Sequence, residues 1–112
     1  MDHLEHGREC YARRAWGEAY NVLRSADQTA PLDLEDLQLL ATAAYLTGHQ
    51  LEFQQILERL YHLQIESGDR ERAARCAFWL SLTFLIQGKR GRSNAWTARG
   101  QRLVEDHDCI EQ

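Results

Sequence analysis

Residues 33–61 read DLEDLQLLATAAYLTGHQLEFQQILERLY, with apolar residues at helical spacing on both sides of one glycine turn. Leu34, Leu37, Leu40, Ala41 and Ala44 recur three and four residues apart, which predicts a helix with one apolar face. Asp33 stands where its carboxylate can cap the first turn. Thr47-Gly48 ends that helix, and Phe53, Ile56, Leu57, Leu60 and Tyr61 mark a second. Gly68 stops the second, because a residue without Cβ suits the left-handed position after a helix end. Asp69 is then placed to cap the next helix.

The same design extends to either side. Upstream, one helix is expected from Asp2 to Arg13 and another from Trp16 to Asp27, with Trp16, Ala19, Tyr20, Leu23 and Ala26 on one face and Pro31 as the stop. Downstream, Arg70–Gln87 and Ser93–Asp106 are expected as helices on either side of the turn Gly88-Lys89-Arg90-Gly91-Arg92. The small residues Gly7 and Ala41 lie 41 − 7 = 34 apart, and Leu80-Ser81 repeats the Leu40-Ala41 pair at 81 − 41 = 40. No strand pattern, linker or low-complexity tract interrupts the series.

A period of 34 residues resembles the tetratricopeptide repeat. With Gly7 on the small-residue position of that family, Ala19, Leu23, Ala26 and Pro31 fall where the pattern has Ala, Phe, Ala and Pro. The second copy offers Leu40-Ala41, Gly48, Phe53, Leu57 and Leu60, and the third offers Leu80-Ser81, Phe84 and Gly88. Departures are His3 and His6 for Trp and Leu in the first copy, and Ser93, Thr97 and Gly100 for Ala, Phe and Ala in the third. The resemblance implies an all-α fold, a right-handed superhelical stack of three helix pairs made of six antiparallel helices. It would form one domain over residues 1–112, with repeats at about 1–32, 33–68 and 69–112.

Leu37–Gly48 (LQLLATAAYLTG), Ala73–Leu82 (AARCAFWLSL) and Ala95–Leu103 (AWTARGQRL) also resemble the helical-repeat region of bacterial LuxR-type, MalT-like transcriptional regulators. In such regulators the repeats sense a small molecule or bind a protein while a separate helix-turn-helix domain reads DNA. No segment here resembles that DNA-binding domain. The chain is therefore expected to be the interaction or sensing part of a larger regulator, or a standalone adaptor of the same build.

The repeat family lines its concave face with the first helix of each pair. That assigns Leu4, Arg8 and Tyr11, then Gln38, Thr42 and Tyr45, then Arg75, Phe78 and Leu82 to a groove for a protein or peptide partner. Tyr11, Tyr45 and Phe78 could equally fill gaps between helices. Family members that grip a C-terminal carboxylate use Lys and Asn, where this chain has Leu4, Arg8, Leu39, Arg75 and Trp79, so that clamp is missing.

His3, His6 and Cys10 share one helix face, but no fourth ligand is identifiable and no metal is expected. Gly88-Lys89-Arg90 lacks both the upstream glycine and the Ser or Thr of a phosphate loop. No nucleophile stands beside a base, so neither enzyme activity nor a cofactor is expected.

The formal charge of −4 argues against a nucleic-acid binder. Charge is uneven: residues 1–71 hold 13 acids and 6 bases, residues 72–104 hold 7 bases and no acid, and residues 105–112 hold 4 acids. Lys89, Arg90, Arg92, Arg99 and Arg102 read as a solvated face, or as a surface that meets the acidic part of another copy. Cys76–Ile86 is the most apolar stretch, and eleven residues are too few to cross a bilayer. No secretory start is present, and Cys10, Cys76 and Cys109 lack Cys-x-x-Cys spacing, which points to reduced thiols in the cytoplasm. The fifth helix is apolar nearly all round and the sixth, with Ala95, Ala98 and Gly100, has little bulk to cover it. Some of Phe78, Trp79, Leu82 and Leu85 are therefore expected to stay exposed, and a homodimer is expected to form through the third repeat.

Overall fold

The structure, a computed structural model, describes residues 3–111, with side chains as far as residue 105. Asp2 as a helix start, and the side chains of His107 and Cys109, lie outside the described residues. Six helices follow in order: α1 (His3–Ala12), α2 (Trp16–Thr29), α3 (Leu34–Leu46), α4 (Gln50–Ser67), α5 (Arg70–Ile86) and α6 (Arg90–Glu111). No strand occurs among the described residues, so the all-helical reading of the periodicity holds.

Four of the connections obey one local rule. Arg14, Gly48, Gly68 and Gly88 adopt positive φ of 60°, 78°, 83° and 78° immediately past a helix end. The next residue donates its N–H to the carbonyl five back: Ala15 to Cys10 at 2.9 Å, His49 to Ala44 at 2.9 Å, Asp69 to Gln64 at 2.9 Å and Lys89 to Phe84 at 2.8 Å. This left-handed cap satisfies carbonyls that the helix end orphans and reverses the chain. Between α2 and α3 the chain instead leaves through extended Ala30 and Pro31, which has no N–H to continue a helix. Asp33 and Asp69 cap α3 and α5 as their positions suggested, accepting from Asp36 N at 3.0 Å and Arg72 N at 3.2 Å.

The chain forms two compact units, Met1–Ile56 and Leu57–Gln112. In the first, α2 packs against both α1 and α3, and α1 touches α3. Its core is Cys10, Ala19, Tyr20, Leu23, Leu37, Leu40, Ala43 and Ala44, all 2 % exposed or less. Gly7 allows the close approach of α1 to α2, since a Cβ there would lie 2.7 Å from a methyl of Leu23. Tyr20 lies flat on His49 at 3.9 Å between ring centroids, tying α2 to the turn before α4.

In the second unit α5 packs along α6. Ala73, Ala74, Ala77, Leu80, Ser81 and Phe84 form the buried stripe of α5, facing buried Ser93 and Trp96 of α6. Tyr61 of α4 meets Trp96 edge-on at 5.0 Å, and the Cys76 thiol donates to Gln64 Oε1 at 3.1 Å. Ser81 Oγ shares hydrogen bonds with Ser93 Oγ at 3.1 Å and Thr97 Oγ1 at 2.5 Å. Ser93 and Thr97, two departures from the expected pattern, thus share Ser81 as a hydrogen-bond partner.

Helix α6 departs from the expected bounds. It begins at Arg90, not Ser93, and continues past Asp106 to Glu111. The left-handed turn closes at Lys89, and the first helical N–H groups need no acceptor within the helix, so Arg90-Gly91-Arg92 enters the helix directly.

Candidate functional site

Helix α5 buries Leu80 and Phe84 with its small residues and leaves five of its large apolar residues exposed. Phe78, Trp79, Leu82, Leu85 and Ile86 are 41 %, 48 %, 46 %, 53 % and 75 % exposed. Ala73, Ala74, Ala77 and Ser81 in the buried stripe let α5 sit close on α6, while these five bulky residues stand at positions outside that stripe. The expectation that some of Phe78, Trp79, Leu82 and Leu85 stay exposed is met, and all four do.

Two adjoining open depressions run along this face. One, of about 360 Å³, is walled by Arg70, Glu71, Ala74, Arg75 and Phe78 of α5 and by Leu103 and Val104 of α6. The other, of about 220 Å³, is walled by Arg75, Phe78, Trp79 and Leu82. Arg75 and Phe78 separate the two. Phe78 is seated by Gly100, where a Cβ would come within 2.8 Å of the ring, so the glycine in place of the expected alanine makes room for an aromatic wall. Arg75 holds Glu71 at 3.2 Å on the surface, and Lys89 and Arg92 approach the Phe84 ring at 5.9 and 5.7 Å from the far end of the helix.

Of the groove residues expected from the repeat resemblance, Arg75, Phe78 and Leu82 come together here. The others belong to the first unit. Arg8 is engaged in a bidentate pair with buried Asp36, Nε to Oδ1 and Nη2 to Oδ2, both at 2.8 Å. The Arg8 hydrogen bond, outweighing desolvation by burial, holds the Asp36 carboxyl below its ordinary range. Tyr11 stacks edge-on with Trp16 at 5.1 Å, filling a gap between α1 and α2. Thr42 donates to Gln38 O in its own helix at 3.1 Å, and Tyr45, 55 % exposed, leans on Phe53 at 5.1 Å. Leu4 lines a separate open depression of about 390 Å³ with His3, Ala26 and the 29–33 linker.

Two features were not read from the sequence. Asp36, 28 residues from Arg8, reads as an ordinary acid of a helical first turn, and only the packing of α3 on α1 makes it a partner. The 4-3-4-3 spacing of Glu71, Arg75, Phe78, Leu82 and Leu85 was visible in the sequence but indistinguishable there from a core stripe.

Cys10 is fully buried, donating to Glu18 Oε2 at 3.4 Å, with Arg13 Nη2 at 3.6 Å and His6 Nε2 at 4.0 Å. Among the described residues no three His, Cys, Asp or Glu side chains are placed to hold a metal ion. Burial pushes the Cys76 thiol up to about 11, which keeps it neutral at physiological pH. No described helix is long and apolar enough to cross a membrane. Comparison with known proteins finds no protein-family profile that matches the chain and no curated protein that matches it.

Proposed function

We propose that this chain is a helical-repeat interaction module that acts by reversible binding, with the outer face of α5 as its binding element. The observation that carries this reading is the run of exposed Phe78, Trp79, Leu82, Leu85 and Ile86 on one ordered helix. Contiguous apolar surface of this kind on a folded domain marks an interaction site. The depressions beside it are open and shallow, a better match to the side chains of another protein than to an enclosed small molecule. On the resemblance set out above, the module is the repeat region of a LuxR-type transcriptional regulator in the cytoplasm. It carries no DNA-reading segment, no cofactor and no catalytic step of its own.

A second reading, a standalone adaptor, draws support from Tyr45 and Leu46, which are 55 % and 49 % exposed at the end of α3. With Gln38 and Thr42 on the same helix and Tyr11 on α1, they would give the first unit a surface of its own. Scaffolding needs two such surfaces.

A photoreactive benzoylphenylalanine placed at Leu82, at Tyr45 and, as a control, at Leu51 tests both readings. Irradiation in native cytosol followed by mass spectrometry should give discrete adducts from Leu82 and none from Leu51, which is 63 % exposed and belongs to the first unit. Adducts from Tyr45 to a different protein would favour the adaptor. Absence of any discrete adduct from Leu82 would remove α5 as the binding element.

A further inference from the structure

Lys89, Arg92, Trp96 and Arg99 follow one another at steps of three, four and three, so they share one side of α6 and its turn over about 15 Å. Arg102 continues the row, and Glu105 closes it. All four cations are exposed, and among the described residues none of them has a carboxylate within ion-pairing distance. Arg72 and Arg75 of α5 differ, since they hold Asp69 at 3.4 Å and Glu71 at 3.2 Å. Aromatic rings position the α6 row instead: the Arg99 guanidinium lies 4.5 Å from the Trp96 ring centre, and Arg92 and Lys89 lie 5.7 and 5.9 Å from that of Phe84. We infer that this side of α6 is a docking surface for an acidic segment of a partner protein. It uses other residues than the outer face of α5, so it stands or falls independently of the function proposed above.

The chemistry of the row selects an anion. A guanidinium laid against a ring keeps its N–H edge free, and that planar fork fits the two oxygens of a carboxylate. Because the rings already restrict these side chains, little further ordering is needed on binding. The free chain gains nothing from the arrangement. Residues 72–104 hold seven bases and no acid, and α6 has no acid in its first turn, where each of the other five helices has one. Lys89, Arg90 and Arg92 therefore add to the positive end of the helix dipole, and like charges repel until an anion covers them. The surface is the row of side chains and not the helix end, since Arg99 stands more than two turns into α6.

Charge elsewhere decides between acidic partners. A nucleic acid offers the same oxyanions, but it is a long polyanion that overruns a short row, and the chain has a net charge of −4 with 13 acids against 6 bases in residues 1–71. A short helix or strand with a few carboxylates on one side meets the row alone. Its acids match the cations and avoid the rest of the chain.

Fluorescence anisotropy of a fluorescein-labelled deca-glutamate peptide, titrated with the full chain at low and at physiological ionic strength, tests the assignment. Saturable binding that weakens with salt is expected. Arg92→Gln combined with Arg99→Gln should weaken it about tenfold, because two surface ion pairs are lost. Arg14→Gln combined with Arg24→Gln removes the same charge from exposed positions of the first unit and should change affinity less than about twofold. Arg92→Lys with Arg99→Lys keeps the charge without the fork and should fall between the two, while circular dichroism stays native in every variant.

Absence of saturable binding overturns the docking surface. Equal losses from the two glutamine pairs overturn it as well, because the attraction would then belong to no particular face. A labelled DNA duplex that binds more tightly than the peptide, and loses affinity with the same α6 pair, overturns the choice of an acidic protein segment. Leu82→Ala should leave peptide affinity unchanged, and a loss there would overturn the separation of this surface from the outer face of α5.

Discussion

Arg8 and Asp36 illustrate how one pair of side chains converts helix contact into a pH-dependent lock. Asp36 is 2 % exposed, and its charge is tolerated because the Arg8 guanidinium reaches both carboxylate oxygens at 2.8 Å. Its folded-state pKa is depressed, so the pair's stabilisation is present above the unfolded carboxylate value of about 3.9 and is lost as pH falls through the folded value. Thermal melts of the wild type should therefore weaken below about pH 4, and Asp36→Asn should flatten that part of the profile. Arg8→Ala should cost roughly 1–3 kcal/mol at neutral pH by stranding a buried acceptor, a measurement made by urea unfolding. Arg8 is for this reason a poor choice for probing partner binding alone.

Gly7 carries a second residue-scale consequence. Alanine ordinarily stabilises a helix interior by about 1 kcal/mol over glycine. Here its Cβ would lie 2.7 Å from Leu23, which is wholly buried and has nowhere to move. Overpacking should outweigh propensity, so Gly7→Ala is expected to lower stability by about 1–2 kcal/mol in a denaturant titration. A rise in stability would mean that α1 and α2 do not approach as described.

At the scale of the element, the turns explain why the helices stop where they do. Gly48, Gly68 and Gly88 occupy the left-handed position at no steric cost, while Arg14 occupies the equivalent position with a side chain at φ 60°. A left-handed residue with a Cβ costs about 1 kcal/mol, so Arg14→Gly should stabilise the first unit by about 0.5–1 kcal/mol, visible as a raised melting temperature. A loss of stability there would show that Arg14 contributes a contact that outweighs its backbone strain. Helix α5 shows the complementary lesson. Its composition alone demands burial, yet the buried stripe takes only Leu80 and Phe84 of its large apolar residues besides the small ones, and Phe78, Trp79, Leu82, Leu85 and Ile86 stay exposed.

Across the whole molecule, acid and base chemistry bear on different units. Asp36 weakens the first unit in acid, whereas Cys76 weakens the second in alkali. Burial raises the Cys76 thiol from 9.0 to about 11, so between those values the unfolded chain ionises while the folded one does not. Stability contributed below pH 9 is accordingly lost as pH rises towards 11, by about 3 kcal/mol at most. Cys76→Ser should remove that alkaline slope, measured as urea midpoint against pH, because serine does not ionise in the range. An unchanged slope would place its origin in another group.

The sequence by itself determined the helices, their order and their punctuation, because helical periodicity, the capping aspartates Asp33 and Asp69 and the glycines past the helix ends are local signals that act within a few residues. It also indicated that α5 could not hide all of its large residues, since Ala95, Ala98 and Gly100 were visibly too small to cover them, and the structure decided which ones stay out. Only the tertiary structure decided which groove residues were already engaged, as with Arg8, and which small residues were seats for larger ones, as Gly100 is for Phe78. Those outcomes depend on side chains 22 to 28 residues apart meeting at a few ångströms, and a periodic pattern states which face a residue occupies without stating what lies opposite it.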